Sequence, residues 1–279
     1  MLSSIRQQTG FAHLHDLPCW LLHCGPARAV ISSYGAQVLS YQPSAGDELL
    51  WLSEQAGWNN QAIRGGIPIC WPWFGPAQPE HIPEANQHPS HGLARTRHWQ
   101  LLQQQCTATE AILHLHCLFD RLPQQAAATE LQLELRLTSQ ALQLTLRCAQ
   151  ALPQQAALHS YFRIHQPGQL KVHGLGRPYL DKVQQRPGND GLQGAQLYGE
   201  TDRIYQQPTD KLLLQDGEVA VSLQQAGHDS SVLWNPGPVK SKQLSDVADD
   251  GYQQFVCVET ARLHWQAVPL HLVQRISRR

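Results

Sequence analysis

The sequence predicts an all-β protein, a large sandwich of antiparallel strands. The strongest observation is two neighbouring runs, 131–137 and 142–147, in which leucine alternates with polar residues. A period of two puts alternate side chains on opposite faces of a strand, and the four-residue separation is typical of an antiparallel hairpin with one face toward water. The second observation is the number of short apolar runs between turn residues, with few segments of helical period.

The hairpin is the best-defined element. Its leucines fall on one face of each predicted strand: Leu131, Leu133, Leu135 and Leu137, then Leu142, Leu144 and Leu146. Leucine and glutamine favour helices intrinsically. A helix would spread these leucines around its circumference, however, so the period favours two strands.

The remaining strands are predicted from shorter apolar runs. In chain order these runs are 20–23, 29–32, 49–52, 111–119, 218–223, 231–234, 255–259 and 271–274. No internal repeat or linker separates them. We therefore expect one domain that spans residues 1–279.

Composition excludes several classes of partner. The net charge of −1 and the isoelectric point near 6.9 give no global field, so we expect neither nucleic acid nor an anionic membrane as a partner. No apolar run approaches the roughly 18 residues of a membrane span. The seven cysteines are scattered and form no C-x-x-C, which is typical of reduced thiols, and residues 1–10 lack the apolar stretch of a signal peptide. We expect a cytoplasmic protein.

Residues 64–95 form an irregular segment. It begins R-G-G-I-P-I-C-W-P-W-F-G-P at Arg64 and ends H-G-L-A-R at Arg95, and it contains six of the chain's 18 prolines. Five of the eight tryptophans lie in or beside it, and such clustered aromatic side chains argue against disorder. A long non-repetitive segment that is ordered is usually functional. We expect a surface that presents Arg64, Arg95 and His91 to a ligand, and a weaker alternative is that the aromatic cluster is plain core.

Two residues are candidates for acid–base chemistry. His159 opens the strand-like run 158–164 beside aromatic residues, where an imidazole can exchange protons near neutral pH. Glu259 ends the apolar run 255–259, and a partly buried carboxylate is costly unless it is paired or used. The alternatives are a structural, hydrogen-bonded histidine and a strand-end glutamate in solvent.

Asp202 is a candidate ligand for sugar hydroxyls. It lies in the charged segment 199–205, and a carboxylate next to an arginine makes strong hydrogen bonds to hydroxyl groups. A loop salt bridge explains the same pattern equally well.

Metal and cofactor motifs are absent from the sequence. The pairs His13/His15 and His114/His116 have strand spacing, but two imidazoles are too few for a closed metal site. There is no H-E-x-x-H, P-loop, G-x-S-x-G or G-x-G-x-x-G. We expect no metal and no cofactor.

Taken in order, six motifs resemble the hexose-6-phosphate mutarotases (glucose-6-phosphate 1-epimerases), a branch of the aldose 1-epimerase superfamily. They are R-G-G-I-P-I-C-W-P-W-F-G-P at 64, H-G-L-A-R at 91, L-H-S-Y-F at 158, E-T-D-R-I-Y at 200, V-L-W-N-P-G at 232 and V-C-V-E-T-A at 256. The resemblance implies the galactose-mutarotase-like supersandwich. The sequence departs from relatives at Ser90, where some carry glutamine, and at Pro238, where an aromatic residue often follows the W-N-P-G motif.

The resemblance also implies roles for individual residues. His159 and Glu259 correspond to the catalytic histidine and glutamate, and Arg64 and Arg95 to the arginines that hold the substrate phosphate. Asp202 corresponds to a carboxylate that contacts the sugar, and His91 lies beside this set. The expected activity is the interconversion of the α and β anomers of hexose 6-phosphates, and glucose 6-phosphate is the first candidate substrate. We expect a monomer that uses no cofactor. The alternatives are an aldose 1-epimerase acting on free hexoses and a non-catalytic carbohydrate-binding protein.

Overall fold

The computed structural model describes residues 3–176, 178–190, 194–197 and 199–279. Within them the strands form two antiparallel sheets, which confirms the all-β prediction. The first sheet contains β1 (Ser4–Phe11), β2 (Leu14–Cys24), β3 (Ala27–Ser32) and β4 (Val38–Gln42), in that order.

The second sheet is larger and continues through the rest of the chain. Its strands are β5 (Ile69–Cys70), β6 (Gln100–Cys106), β7 (Glu110–Phe119), β8 (Thr129–Thr138), β9 (Leu142–Leu158), β10 (Tyr161–Arg163), β11 (Lys171–His173), β12 (Pro178–Asp181), β13 (Arg186–Asn189), β14 (Thr201–Gln206), β15 (Lys211–Asp216), β16 (Val219–Ala226), β17 (Ser230–Asn235) and β18 (Phe255–Arg278). Its main path runs β13, β12, β14, β17, β18, β9, β8, β7, β6. One cluster of buried side chains joins the two sheets, from Trp20 on β2 to Ile276 on β18.

Helices are short in the described residues. The α-helix α1 covers Gly237–Ser241, and 3-10 turns cover Ala85–Gln87, Ala94–Thr96, Pro167–Gln169 and Gly251–Gln253. None of these described helices is long and apolar enough to cross a membrane.

The leucine hairpin forms as predicted. Strands β8 and β9 pair antiparallel, with Leu137 opposite Leu142, and all seven alternating leucines are buried. The polar residues between the leucines of β8 are partly exposed on the other face, as are Gln143 and Arg147 on β9, whereas Thr145 is buried. Side-chain period therefore decided the structure over intrinsic helix propensity.

Two predicted strands belong to one. The runs 255–259 and 271–274 both lie on β18, whose pairing with β9 shifts register between Arg262 and Gln266 and again between Val268 and Leu270. These irregularities bend the strand, so that its first part pairs with β17 and its last part with β16. Glu259 consequently lies inside a 24-residue strand and not at a strand end.

The strand predicted at 49–52 was wrong. Leu50 and Leu52 make only isolated bridges, to Phe162 and Gly65. The backbone N–H groups of Leu49, Trp51 and Ser53 donate to Tyr41, Tyr161 and Arg64 respectively. Because the donors bond to three different segments, no continuous ladder forms.

The irregular segment 64–95 is ordered, and its tryptophans are core. Trp71 and Trp73 are fully buried, and their indole N–H groups donate to Gln154 Oε1 (2.7 Å) and to the Pro89 carbonyl (3.0 Å). The plain-core interpretation therefore holds for these rings.

Candidate active site

Six residues singled out in the sequence line one cavity of about 350 Å³. They are Arg64, His91, Arg95, His159, Asp202 and Glu259. Their positions in the chain span almost 200 residues, so the fold brings them together. The following paragraphs describe how each is held.

Sheet register puts the carboxylates on one face. On β17, Val232 and Trp234 are two residues apart and therefore share a face. Val232 lies opposite Glu259 on β18, and Trp234 lies opposite Asp202 on β14. Directly opposed residues of antiparallel strands project to the same side, so both acidic side chains face the cavity.

His159 lies in the two-residue break between β9 and β10. Its backbone N–H donates to the Pro68 carbonyl at 3.0 Å, outside the strand ladder. Its imidazole lies parallel to the ring of Tyr161, with the ring centroids 4.9 Å apart. The histidine is thus fixed from both the backbone and the ring face.

His159 and Glu259 form a buried pair. Nε2 of His159 is 3.3 Å from Oε1 of Glu259, and the two residues are 7% and 1% exposed. The other polar atoms of the pair, Nδ1 and Oε2, are buried without a hydrogen-bond partner among the described residues. Glu259 is therefore not a glutamate in solvent. Unpartnered buried polar atoms are costly, and here they are available to a ligand.

Burial determines the protonation of this pair. It lowers the pKa of His159 to about 3, with Arg95 and Arg64 acting in the same direction. It raises the pKa of Glu259 well above the usual range, with Asp202 adding to the rise and Lys182 and Arg95 opposing it. At neutral pH the imidazole of His159 is therefore uncharged, and burial favours the protonated form of Glu259.

Arg64 is held by two partners. Its Nε donates to Asp246 Oδ2 at 3.0 Å, and its Nη1 donates to the Tyr161 hydroxyl at 2.9 Å. These contacts leave Nη2 as the donor that is available to a ligand.

Arg95 is held differently. It lies in the 3-10 turn Ala94–Thr96, and its Nη2 donates to the Ser90 carbonyl at 2.7 Å. Within the described part of the chain, no carboxylate forms an ion pair with it. Ser90 therefore contributes a backbone oxygen to this site.

Two lysines also line the cavity and were not singled out in the sequence. Lys182 Nζ lies 3.2 Å from Asp202 Oδ2, and Lys240 Nζ lies 2.7 Å from Glu200 Oε1. Asp202 does therefore form a salt bridge, and it does so at the wall of the cavity. The sequence offered one indication of these lysines, which is their rarity. The chain has only five lysines, and two of them line this cavity.

His91 is a neutral donor at the cavity wall. Its backbone adopts φ 65°, and its Nδ1 accepts a hydrogen bond of 3.3 Å from the Gly75 N–H. Burial lowers the pKa of His91 well below its usual value, and Arg95 adds to this effect. The neutral ring therefore carries its proton on Nε2.

The described residues contain no group of three or more histidine, cysteine, aspartate or glutamate side chains that could hold a metal ion. What this site offers is one acid–base pair, four cationic side chains and a carboxylate suited to hydroxyl groups. This combination suits proton transfer on a polar, anionic ligand.

Comparison with known proteins gives consistent matches. A family model described as aldose 1-epimerase matches residues 19–273. A protein of Escherichia coli K12 named "Putative glucose-6-phosphate 1-epimerase" is 33% identical over 259 residues, covering 89% of this chain and 86% of that protein. A Salmonella typhimurium LT2 protein of the same name is 32% identical over 252 residues, covering 88% and 84%.

Solved structures agree with these matches. A crystal structure from Salmonella typhimurium, described as a "putative mutarotase", superposes with a TM-score of 0.86 at 29% identity, covering 99% of this chain and 97% of that one. A galactose mutarotase-like protein from Clostridium acetobutylicum has a TM-score of 0.69 at 11% identity, covering 99% and 98%. The predicted galactose-mutarotase-like fold is confirmed.

Proposed function

This chain belongs to the aldose 1-epimerase family, and on that premise we propose that it interconverts the α and β anomers of hexose 6-phosphates, with glucose 6-phosphate as the first candidate. The observation that carries the proposal is the buried His159–Glu259 pair in a cavity where Arg95 has no carboxylate partner. The pair supplies the proton chemistry, and the arginine supplies a reason for a phosphate. The names of the two bacterial relatives support the same substrate.

The reaction requires one base and one acid. A base removes the proton of the C1 hydroxyl while an acid protonates the ring oxygen, the ring opens to the aldehyde, and rotation about C1–C2 precedes closure. Glu259 acts as the base and His159 as the acid, and the roles are exchanged on closure. Each such group contributes about 10²–10⁴-fold to the rate.

The cations favour a phosphorylated substrate. Arg64, Lys182 and Lys240 each lie beside a carboxylate, so their charges are largely compensated. Arg95 keeps its full charge and a planar set of donors that fits phosphate oxygens. A charge-assisted hydrogen bond of about 1.5–3 kcal/mol favours the phosphate ester over the free sugar by roughly 10–10².

A free hexose is the second candidate, and one observation favours it. Arg64 already bonds to Asp246 and Tyr161, which gives it a structural duty whether or not a phosphate binds. On this alternative Asp202 and His91 bind hydroxyl groups and Arg95 acts as a general donor.

The test is anomer exchange measured by NMR with glucose, glucose 6-phosphate and galactose 6-phosphate. We expect the largest kcat/KM for glucose 6-phosphate. Glu259→Gln and His159→Asn are the matched variants, and each should lose about 10²–10⁴ of the rate while remaining folded. Equal kcat/KM for glucose and glucose 6-phosphate would establish the second candidate, and full activity of either variant would refute the acid–base assignment.

We also propose a cytoplasmic monomer. All seven cysteines are free thiols, which is typical of proteins in a reducing compartment. Light scattering on the purified protein tests the oligomeric state.

A further inference from the structure

A second cavity, of about 320 Å³, adjoins the active-site cavity. We call it the side cavity. Phe74 and Lys182 line both cavities, so these two side chains stand between them. Among the described residues, His159, Glu259 and Arg95 line the active-site cavity only. The side cavity is therefore a neighbour of the reaction site and takes no part in the chemistry proposed above.

The two cavities share one floor. On β14, Asp202, Ile204 and Gln206 are each two residues apart and therefore share a face. Asp202 lines the active-site cavity, whereas Ile204 and Gln206 line the side cavity. On β17, Val232 and Ser230 also share a face and line the active-site cavity and the side cavity respectively. From Asp202 to Gln206 the strand rises about 13 Å, which is long enough for two linked sugar rings.

Phe74 is held firmly in the wall between the cavities. Its backbone N–H donates to Gln155 Oε1 at 3.0 Å, and Gln155 Nε2 donates in turn to the Leu263 carbonyl at 2.6 Å. The phenyl ring meets the imidazole of His91 edge-on, with the ring centroids 4.9 Å apart. The backbone and the ring of Phe74 are thus both fixed, and the wall is part of the fold.

The side cavity suits a neutral ligand that carries hydroxyl groups. Among the described residues that line it, only Lys182 has a fixed charge, and Asp202 Oδ2 lies 3.2 Å from its Nζ. Gln206 supplies an amide, Ser230 a hydroxyl and Ile204 an apolar surface. A sugar ring has hydroxyl groups around apolar faces, so it matches this lining, and a second phosphate does not.

We propose that Phe74 determines the length of the substrate: its ring confines the sugar to one residue, and the side cavity is a site for a second sugar residue that this ring closes off. The inference deepens the proposed function, on which it rests, because it concerns the same site. A hexose 6-phosphate needs only the active-site cavity. A disaccharide whose reducing residue lies at Glu259 needs both cavities.

The experiment opens the wall and lengthens the sugar. Anomer exchange is measured by NMR for glucose and for sophorose, laminaribiose and cellobiose, in which the second glucose is linked through C2, C3 and C4 respectively. The test therefore does not depend on which carbon faces Phe74. The quantity compared is kcat/KM for each disaccharide divided by kcat/KM for glucose in the same protein.

Phe74→Ala should raise this ratio for at least one disaccharide by about tenfold or more, because two hydrogen bonds to the second residue are sufficient for such a gain. Phe74→Val serves if the alanine variant does not fold. Unchanged ratios for all three disaccharides in the folded variant would overturn the inference.

Two control variants separate an opened wall from a loosened protein. The double variant Phe74→Ala/Gln206→Trp fills the side cavity again and should lose the gain. Phe11→Ala removes another partly buried phenyl ring, which lines neither cavity, and should keep the ratios of the unmutated protein. A gain that survives Gln206→Trp, or that also appears in Phe11→Ala, would contradict the assignment of the side cavity.

A second readout does not depend on turnover. Calorimetric titration with the same sugars should show that the unmutated protein binds glucose more tightly than any of the disaccharides, and that Phe74→Ala reverses this order for at least one of them. Reversal in a protein without anomer exchange would keep the role of Phe74 and reject the proposed function. Rapid turnover of glucose 6-phosphate without reversal would keep the proposed function and reject the role of Phe74.

Discussion

Arg64 Nη1 donates a hydrogen bond of 2.9 Å to the hydroxyl of Tyr161. The tyrosine ring in turn lies parallel to the imidazole of His159 at 4.9 Å. The first arginine of the irregular segment therefore reaches the acid–base pair through a buried phenol. Asp246 holds the other side of the guanidinium at 3.0 Å. We therefore expect Tyr161, which this arginine holds and which stacks on the imidazole, to position His159.

Tyr161→Phe should lower kcat about tenfold and leave KM for glucose nearly unchanged. The substitution keeps the stacked ring but removes a hydrogen bond to a charged donor, worth about 1.5–3 kcal/mol. Anomer exchange across glucose concentrations separates kcat from KM. Tyr252→Phe, near the surface, is the control, and an unchanged kcat in Tyr161→Phe would remove the positioning role.

The two arginines should respond differently to removal. Arg95→Ala should reduce kcat/KM for glucose 6-phosphate by roughly 10–10² and leave the slower exchange of glucose intact, because Arg95 has no structural ion pair. Arg64→Ala should impair both substrates, since it also frees Tyr161 and Asp246. The measurement is the ratio of the two kcat/KM values in each variant. Equal ratios in both variants would show that the two arginines contribute equally to the preference for glucose 6-phosphate over glucose.

Much of the fold could be predicted because its strands carry a period of two. The leucine hairpin is the clearest case, since packing of one face overrides helix propensity at each leucine. The strand predicted at 49–52 was wrong because the apolar character of a segment does not show which carbonyl groups its backbone N–H groups bond to. The single strand β18 was divided in two because its register shifts interrupt the pattern.

The site was less accessible to sequence reasoning. Resemblance singled out residues that do meet in one cavity, but only tertiary structure distinguishes Arg64 from Arg95, because the partner of Arg64 lies 182 residues away at Asp246. Lys182 was missed since it belongs to no motif. It is presented by a turn in which Asp181 Oδ1 accepts the N–H groups of Val183 and Gln184.

Lys182 and Asp202 should move the pH profile in opposite directions. The lysine lowers the pKa of Glu259 and the aspartate raises it. Lys182→Met should therefore shift the limb of the kcat/KM profile that Glu259 controls to higher pH, whereas Asp202→Asn should shift the same limb to lower pH. The measurement is kcat/KM against pH for each variant.

The exposed Lys211→Met is the control for the lysine, because it also removes a positive charge but lies outside the cavity. Shifts of the same sign for Lys182→Met and Asp202→Asn would contradict this account of the charges around Glu259.

His159 should weaken the fold in acid. Its pKa is lowered from 6.5 to about 3 by burial, so between those values the unfolded chain binds a proton that the folded protein does not. Its contribution to stability is complete above pH 6.5 and is lost on acidification, by about 1.4 kcal/mol for each pH unit within this window. The free energy of unfolding of His159→Asn should fall less over the same interval. Urea unfolding of both proteins between pH 7 and about 4 measures this difference.

The exposed His15→Asn should keep the dependence of the unmutated protein. Parallel curves for the unmutated protein and His159→Asn would mean that His159 is protonated in the folded state.

Gly66, the second glycine of the R-G-G motif, should be sensitive to substitution. It has φ 61°, and a Cβ atom there would lie 2.1 Å from the Val38 carbonyl oxygen. Gly75 has a similar φ of 68° but open space around it, so the two positions differ in the clash alone. Gly75→Ala should cost about 1 kcal/mol for the left-handed backbone, and Gly66→Ala about 2–5 kcal/mol, because overpacking adds to that cost. Urea unfolding measures both costs, and equal values would show that the backbone at Val38 shifts to accommodate the added methyl group.

Since Gly66 follows Arg64 by two residues, the same clash should also displace the arginine, so Gly66→Ala should lower kcat more than Gly75→Ala does.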